Sequence, residues 1–188
     1  MPYTPPPELS SLSLAQIAEL ISERKLPPVS NWNPDKVGDS EMQIMLDGRW
    51  FHQGEEIKRP AMVRAFASLL RCDVDGQHWL VTPQEKLSIK VDDAPFIAVE
   101  LRSEGEGDAR QLALRLNTDD LVVLDRDHPL VMRDGCDPPL PYVLVRDRLW
   151  AKLSRPVYYE MAELALAENA DSPGLWSAEQ YFPFGNMA

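Results

Sequence analysis

Four of the five tryptophans fall into two copies of one pattern, and this repetition limits the folds open to the chain more tightly than any other feature. The first copy runs Asp47-Gly48-Arg49-Trp50, then Arg59-Pro60, an apolar stretch at helical spacing, and Gly76 with Trp79 close behind. The second runs Asp147-Arg148-Leu149-Trp150, then Arg155-Pro156, another such stretch, and Gly174 with Trp176. Proline to tryptophan spans 19 residues in the first copy (60 to 79) and 20 in the second (156 to 176). Two strands feeding a proline-started helix are therefore expected twice. The pattern specifies architecture and names no reaction.

The local signals agree with it. Met42, Ile44 and Leu46 alternate with polar residues, and Asp47-Gly48 supplies a tight turn before Arg49 to His52 run back. Pro60 suits the first turn of a helix, where its missing N–H has no intrahelical partner to lose; Met62, Val63, Phe66, Leu69 and Leu70 form the expected buried stripe. In the second copy Val143 to Val145 and Leu149 to Leu153 form the hairpin, and Pro156 opens a helix carrying Val157, Tyr158, Met161, Leu164 and Ala165. Trp50 to Pro60 is longer than Trp150 to Pro156 by four residues, placed around Gly54 to Ile57. Residues 1 to 10 read as extended and weakly anchored. Ser13 to Gln16 then forms a capping box, and Leu14, Ile17, Leu20 and Ile21 give an amphipathic helix that ends at Pro27-Pro28.

The middle of the chain is rich in strands: Trp79 to Val81, Leu87 to Val91, Phe96 to Leu101, and Leu112, Leu114 and Leu116. Asp92-Asp93, Gly105 to Gly107 and Asp119-Asp120 separate them. A second repetition, Leu87 to Ile97 against Leu121 to Val131, lies at a constant offset of 34. It reads equally as a true repeat and as two turns of the same chemistry. The expected fold is α+β: a tail and helix over 1–30, a first unit over 31–102 and a second over 108–188. Repeated hairpin-helix motifs surround mostly antiparallel sheets, with a cleft between the units.

Charge narrows the partners. Thirty acidic and nineteen basic side chains give a net charge of −11, which repels nucleic acid polymers and anionic membranes at long range. The opening residues lack a basic segment ahead of an apolar run and a small-residue cleavage site, so no secretory signal is expected. No segment is long enough for a membrane span. Cys72 and Cys136 lack a Cys-x-x-Cys arrangement and suit reduced thiols in a cytoplasmic protein, with a single disulfide as the alternative.

Residues 31–101 resemble the proteobacterial family known as domain of unknown function 1285. The resemblance rests on Trp32 with Pro34, Gly38-Asp39, Asp47-Gly48-x-Trp50, Gly54 with Ile57 and Arg59, Leu80-Val-Thr-Pro-x-Glu-Lys86, and Asp93-Ala-Pro-Phe96. It implies a two-domain α+β protein with repeated motifs, an interdomain cleft, a nucleotide-like ligand and a signalling role.

An anion at such a cleft also has a physical rationale. Helix N-termini project positive potential, so cations there are disfavoured unless negative charge sits beside them. Lys58-Arg59 and Arg155 both stand at predicted helix starts. Either protein carboxylates neutralise them or a bound phosphate or carboxylate does. Thr82 and Lys86 follow a strand in a loop that either binds an anion or merely ends the strand; the glycines of a phosphate-wrapping loop are missing. His52, beside Trp50, either meets a ligand or covers a half-buried surface. The candidate ligand-binding set is therefore Trp50, His52, Lys58, Arg59, Thr82, Lys86 and Arg155, with the tryptophans equally explained as core anchors.

Catalytic signals are sparse. His52, His78 and His128 have no metal-ligand spacing, no cofactor motif is present, and neither cysteine carries an activation signature. Asp125 to His128 gathers potential cation ligands, but the segment also reads as a turn. The leading expectation is a cytosolic binding or sensor module for a small anionic, nucleotide-like molecule. The alternatives are a metal-dependent hydrolase or transferase using Asp125 and Asp127, and an adaptor that binds a protein partner.

Overall fold

The computed structural model of the chain describes residues 7–133, 139–169 and 171–184. Helix α1 (Leu14–Glu23) starts at the expected capping box: the Ser13 hydroxyl accepts from the Gln16 N–H and the Gln16 side chain accepts from the Ser13 N–H. Ile17 is buried, but Leu20 and Ile21 stay 39% and 37% exposed, so only part of the predicted apolar face is covered. Residues 1–6 lie outside the described residues, but Leu9 is better anchored than the composition of the segment suggests. Leu9 is fully buried, and its N–H donates to Glu100 Oε2 at 2.9 Å.

The first sheet contains β1 (Lys36–Ile44), β2 (Trp50–His52), β3 (Glu55–Glu56), β4 (Leu70–Cys72), β5 (His78–Val81) and β6 (Glu85–Val91). Helix α2 (Pro60–Ser68) lies between β3 and β4 in sequence, with Pro60 in its first turn as expected. The four extra residues near Gly54 belong to a Gln53-Gly54 turn and the short β3, which pairs with β2. The second sheet contains β7 (Phe96–Glu104), β8 (Gln111–Leu116), β9 (Leu121–Val123), β10 (Leu130–Arg133), β11 (Leu140–Arg146) and β12 (Leu149–Leu153). Helix α3 (Arg155–Glu168) and the separate hairpin of β13 (Gly174–Ser177) and β14 (Gln180–Pro183) follow.

The sheet orders are β3-β2-β1-β6-β5-β4 and β10-β11-β12-β7-β8-β9. Each sheet is two three-stranded antiparallel meanders joined by one parallel pair, β1 with β6 and β12 with β7. Numbered from the first strand of its own unit, each reads 3-2-1-6-5-4, so the two sheets share one topology. The α+β class and the two similar, mostly antiparallel units are as the sequence indicated.

The repeat in the sheets is nevertheless not the one carried by the tryptophans. Trp50 lies on the second strand of its unit and Trp150 on the sixth. The pattern marks a hairpin-helix-hairpin motif placed at two non-equivalent positions. The offset of 34 is likewise turn chemistry: in one copy it joins β6 to β7 across sheets, in the other β9 to β10 at opposite edges of one sheet. The unit boundary also differs from the expected 102–108. Strand β7 pairs with β8 and β12, so the second sheet begins at Phe96, and the Gly105 segment merely links β7 to β8.

Both sheets, α2 and α3 share one apolar core that includes Trp50, Leu70, Phe96, Leu114, Leu149 and Met161. At about 25 cal/mol per Å² of apolar surface removed from water, this shared burial is what joins the units. In α2 the fully buried residue is Ala67, while Met62 is 38% exposed, and Leu70 belongs to β4. Val63, Phe66 and Leu69 of the expected stripe are partly buried against the core. Near the C-terminal end a Cβ on Gly174 would lie 2.1 Å from the Tyr181 hydroxyl oxygen, so the ring occupies the space that glycine leaves. Helix α1 packs on β8 and β9 of the second sheet although it precedes the first in sequence. Among the described residues no helix is long and apolar enough to cross a membrane.

Candidate functional site

The sequence-predicted residues do not converge. Trp50 is 1% exposed and stacks near Phe66 at 6.5 Å between centroids, as a core anchor does. Its indole N–H is buried without a hydrogen-bond partner. Trp50 and Lys58 border a recess of about 290 Å³ in which Asp47, Glu56 and Asp119 balance Lys58, Arg49 and Arg64, so the lining carries no net charge to draw an anion. Arg59, at the N-cap of α2, is exposed and makes no ion pair with a described residue; Arg155, at the start of α3, is the same. At such exposed positions the potential of the helix ends is screened. His52 is exposed on its short strand. The Thr82 hydroxyl accepts from the Gln84 and Glu85 N–H groups and donates to the Glu85 carbonyl, which closes a turn.

Lys86 stands at another recess between the sheets, apart from that of Trp50 and Lys58. Its ammonium lies 2.5 Å from Asp73 Oδ2 and 4.1 Å from the Trp79 ring centroid, so a protein carboxylate already balances it. Asp73 also accepts from Arg71 Nε at 3.1 Å. Burial pulls the Asp73 carboxyl upward, but hydrogen bonds and charge from Lys86 and Arg71 outweigh it and hold the group below its ordinary value.

Beside this cluster lies a recess of about 300 Å³ between the units, bordered by Cys72, Asp73, His78 and Asp93 of the first and by Arg133, Arg148 and Trp150 of the second. An adjoining recess of about 550 Å³ shares Cys72, Asp73 and Arg148 and adds Arg71 and Lys86. The Arg133 guanidinium lies 4.3 Å from the Tyr142 ring centroid and 4.5 Å from that of Trp150. Each contact is of cation–π type and fixes the plane of the fork without neutralising it. Neither Arg133 nor Arg148 forms an ion pair with a described residue. Asp93 is occupied, accepting from Tyr142 Oη at 2.8 Å and Lys152 Nζ at 2.7 Å.

Backbone geometry presents Arg148 to the seam. Asp147 and Arg148 have φ of 40° and 64°, the two left-handed residues of the tight turn between β11 and β12. Arginine is disfavoured there relative to glycine or asparagine. Sequence reasoning overlooked it, yet the signal was present: arginine replaces the glycine of the first Asp-Gly copy. His78 titrates below its ordinary value because burial disfavours the imidazolium, so the recess holds a neutral imidazole at neutral pH. Burial pushes the Cys72 thiol up, against the pull of Arg148 and with help from Asp73 and Asp75, which argues against an activated nucleophile.

A larger depression of about 720 Å³ opens over the first sheet, but Asp39 and Glu41 against Lys90 give it the wrong sign for an anion. The Asp125 segment is a turn: one Asp125 oxygen accepts from the N–H groups of Asp127 and His128 and contacts His128 Nδ1 at 2.9 Å. Among the described residues no group of three His, Cys, Asp or Glu side chains is placed to hold a metal ion. Cys72 is a free thiol, and Cys136 lies outside the described residues.

Comparison with known proteins gives a consistent result over nearly the whole chain. Residues 27–94 match the domain of unknown function (DUF1285), N-terminal domain, and residues 95–184 match the protein of unknown function (DUF1285), C-terminal domain. The junction falls between β6 and β7, where the sheets divide. A crystal structure of a DUF1285 family protein from Silicibacter pomeroyi DSS-3 is 39% identical, with a TM-score of 0.77 over 93% of this chain and 95% of that one. Another, from Shewanella baltica OS155, is 25% identical, with a TM-score of 0.53 over 65% of this chain and 90% of that one. No curated protein matches the chain. Both halves of the sequence and the solved relatives thus agree, and the chain belongs to the DUF1285 family.

Proposed function

We propose that this protein is a cytosolic binding or sensor module that holds a small anionic, nucleotide-like molecule at the seam between its two sheets and serves in signalling. One observation carries the reading. Arg133 and Arg148 border a single recess without a carboxylate partner among the described residues, in a chain whose net charge is −11. Where acidic groups are so abundant, two unneutralised guanidiniums on one recess favour an anion from outside. Trp150 supplies apolar surface next to the charge, which suits a ligand with both an anionic and a planar part.

The test is titration of the purified protein with a panel of mono- and dinucleotides and phosphorylated metabolites, followed by tryptophan emission and calorimetry. Saturable binding by one class is expected, weakened at least tenfold, about 1.4 kcal/mol, by Arg148→Gln and unchanged by Arg59→Ala. A blank panel, or equal binding by Arg148→Gln, overturns the reading.

A further inference from the structure

A different cavity carries a ligand chemistry of its own. A recess of about 510 Å³ lies between the end of α1, α2, the β8–β9 turn and the end of β11. Its walls include Leu20, Ile21 and Leu26, which are 39%, 37% and 37% exposed, and Val145, which is buried. These are the residues of the N-terminal amphipathic segment that the core leaves uncovered.

At the same recess stands Arg146. Its Nη2 donates to the Ala67 carbonyl at 2.7 Å, and its guanidinium lies 5.2 Å from the Phe96 ring centroid. It forms no ion pair with a described residue. Asp120 pairs with Arg24 and accepts from the Thr118 hydroxyl, Asp119 faces Arg64, and Glu100 accepts from Arg115. Of the arginines that border the recess, Arg24, Arg64 and Arg115 each face a carboxylate, whereas Arg146 faces none among the described residues. A guanidinium has five N–H donors, and the protein supplies Arg146 with one neutral acceptor. Burial disfavours its charge, with Asp120 only partly offsetting the cost.

We propose that this recess binds a small aliphatic monocarboxylate, whose carboxylate meets Arg146 and whose hydrocarbon body covers Leu20, Ile21 and Leu26. A charge-assisted bond from the carboxylate to Arg146 supplies the counter-charge that no described side chain provides. The aliphatic walls then discriminate against a bare phosphate or a strongly hydrated dianion. The site is separate from the seam recess of Arg133 and Arg148 and shares no bordering residue with it.

The experiment uses the full chain, with hexanoate, hexan-1-ol and inorganic phosphate as probes in calorimetry and thermal shift. Hexanoate is expected to bind saturably at 1:1, and hexanol and phosphate at least about tenfold more weakly, a difference of about 1.4 kcal/mol. Arg146→Gln is expected to lower hexanoate affinity by a similar factor. Leu26→Trp, at an exposed position where the fold has no need of leucine, is expected to block binding while leaving the thermal transition cooperative. Arg148→Gln leaves hexanoate binding intact, which separates this site from the nucleotide-like one. Absence of saturable hexanoate binding, equal binding of hexanol, or full binding by Leu26→Trp overturns the proposal. Should Arg146→Gln not fold, Leu26→Trp and the hexanol comparison decide.

Discussion

Gly48 and Arg148, each following an aspartate in the two copies of the tryptophan pattern, both hold left-handed backbone, at φ 80° and 64°. For Gly48 the reason is local and steric: an added Cβ would lie 2.6 Å from Asn117 Nδ2 and 2.9 Å from Ile97 Cδ1. Arg148 carries a full side chain in the same backbone region and sits at the seam between the sheets. Strain of this kind is retained where the side chain has a task. Arg148→Gly is therefore expected to raise unfolding stability by about 0.5–1 kcal/mol, since relief of left-handed strain exceeds the added chain entropy. The same variant should lose affinity for the anionic ligand. Urea denaturation beside ligand titration checks both, and a fall in stability contradicts the strain.

Asp73 is the counter-charge that makes Lys86 unavailable. Asp73→Asn is expected to cost about 2 kcal/mol, as charged hydrogen bonds to Lys86 and Arg71 are lost in a partly buried site. The pH dependence has a definite sign. The folded state holds this carboxyl below its ordinary 3.8, so its contribution is fully present above that value and is lost as pH falls through the lower folded value. Stability measured from pH 5 down to pH 2 should fall less steeply in Asp73→Asn than in the parent chain.

His78 acts in a separate window. Burial lowers its folded value below 6.5, so neutral imidazole is preferred and its share of stability is present above the unfolded value. That share is lost as pH falls from 6.5 through the lower folded value, because the unfolded chain takes up the proton more readily. His78→Gln should flatten the stability profile in this range and leave the more acidic, Asp73-dependent limb in place. Unchanged slopes between pH 7 and pH 5 would falsify the assignment.

Trp50 and Arg59, nine residues apart, separate core from surface. Trp50→Ala removes a fully buried indole and its stacking with Phe66, at an expected cost of about 3–5 kcal/mol. Arg59→Ala should stay within about 0.5 kcal/mol of the parent, as exposed sites without specific partners do. Thermal or urea unfolding of the two variants distinguishes these outcomes; a large loss on Arg59→Ala would show that the N-cap arginine has a structural partner.

The amino-acid pattern alone determined the parts that depend on near neighbours. The Ser13 capping box, the proline starts of α2 and α3 and the Gly48 turn all follow from hydrogen bonding and sterics within a few residues. The family resemblance was also legible, because those same short motifs carry it. Only tertiary structure decided how the strands associate. A hairpin followed by a proline-started helix reads alike wherever it is inserted, so the tryptophans could not reveal that β2 and β12 occupy different positions in sheets of equal topology. Charge pairing was equally hidden. Lys86 finds Asp73 across 13 residues, while Arg148 finds no carboxylate among the described residues, and these outcomes depend on which side chains the seam brings within about 4 Å. Coulomb and packing forces act through space, whereas sequence spacing reports only the first turn or hairpin around each residue.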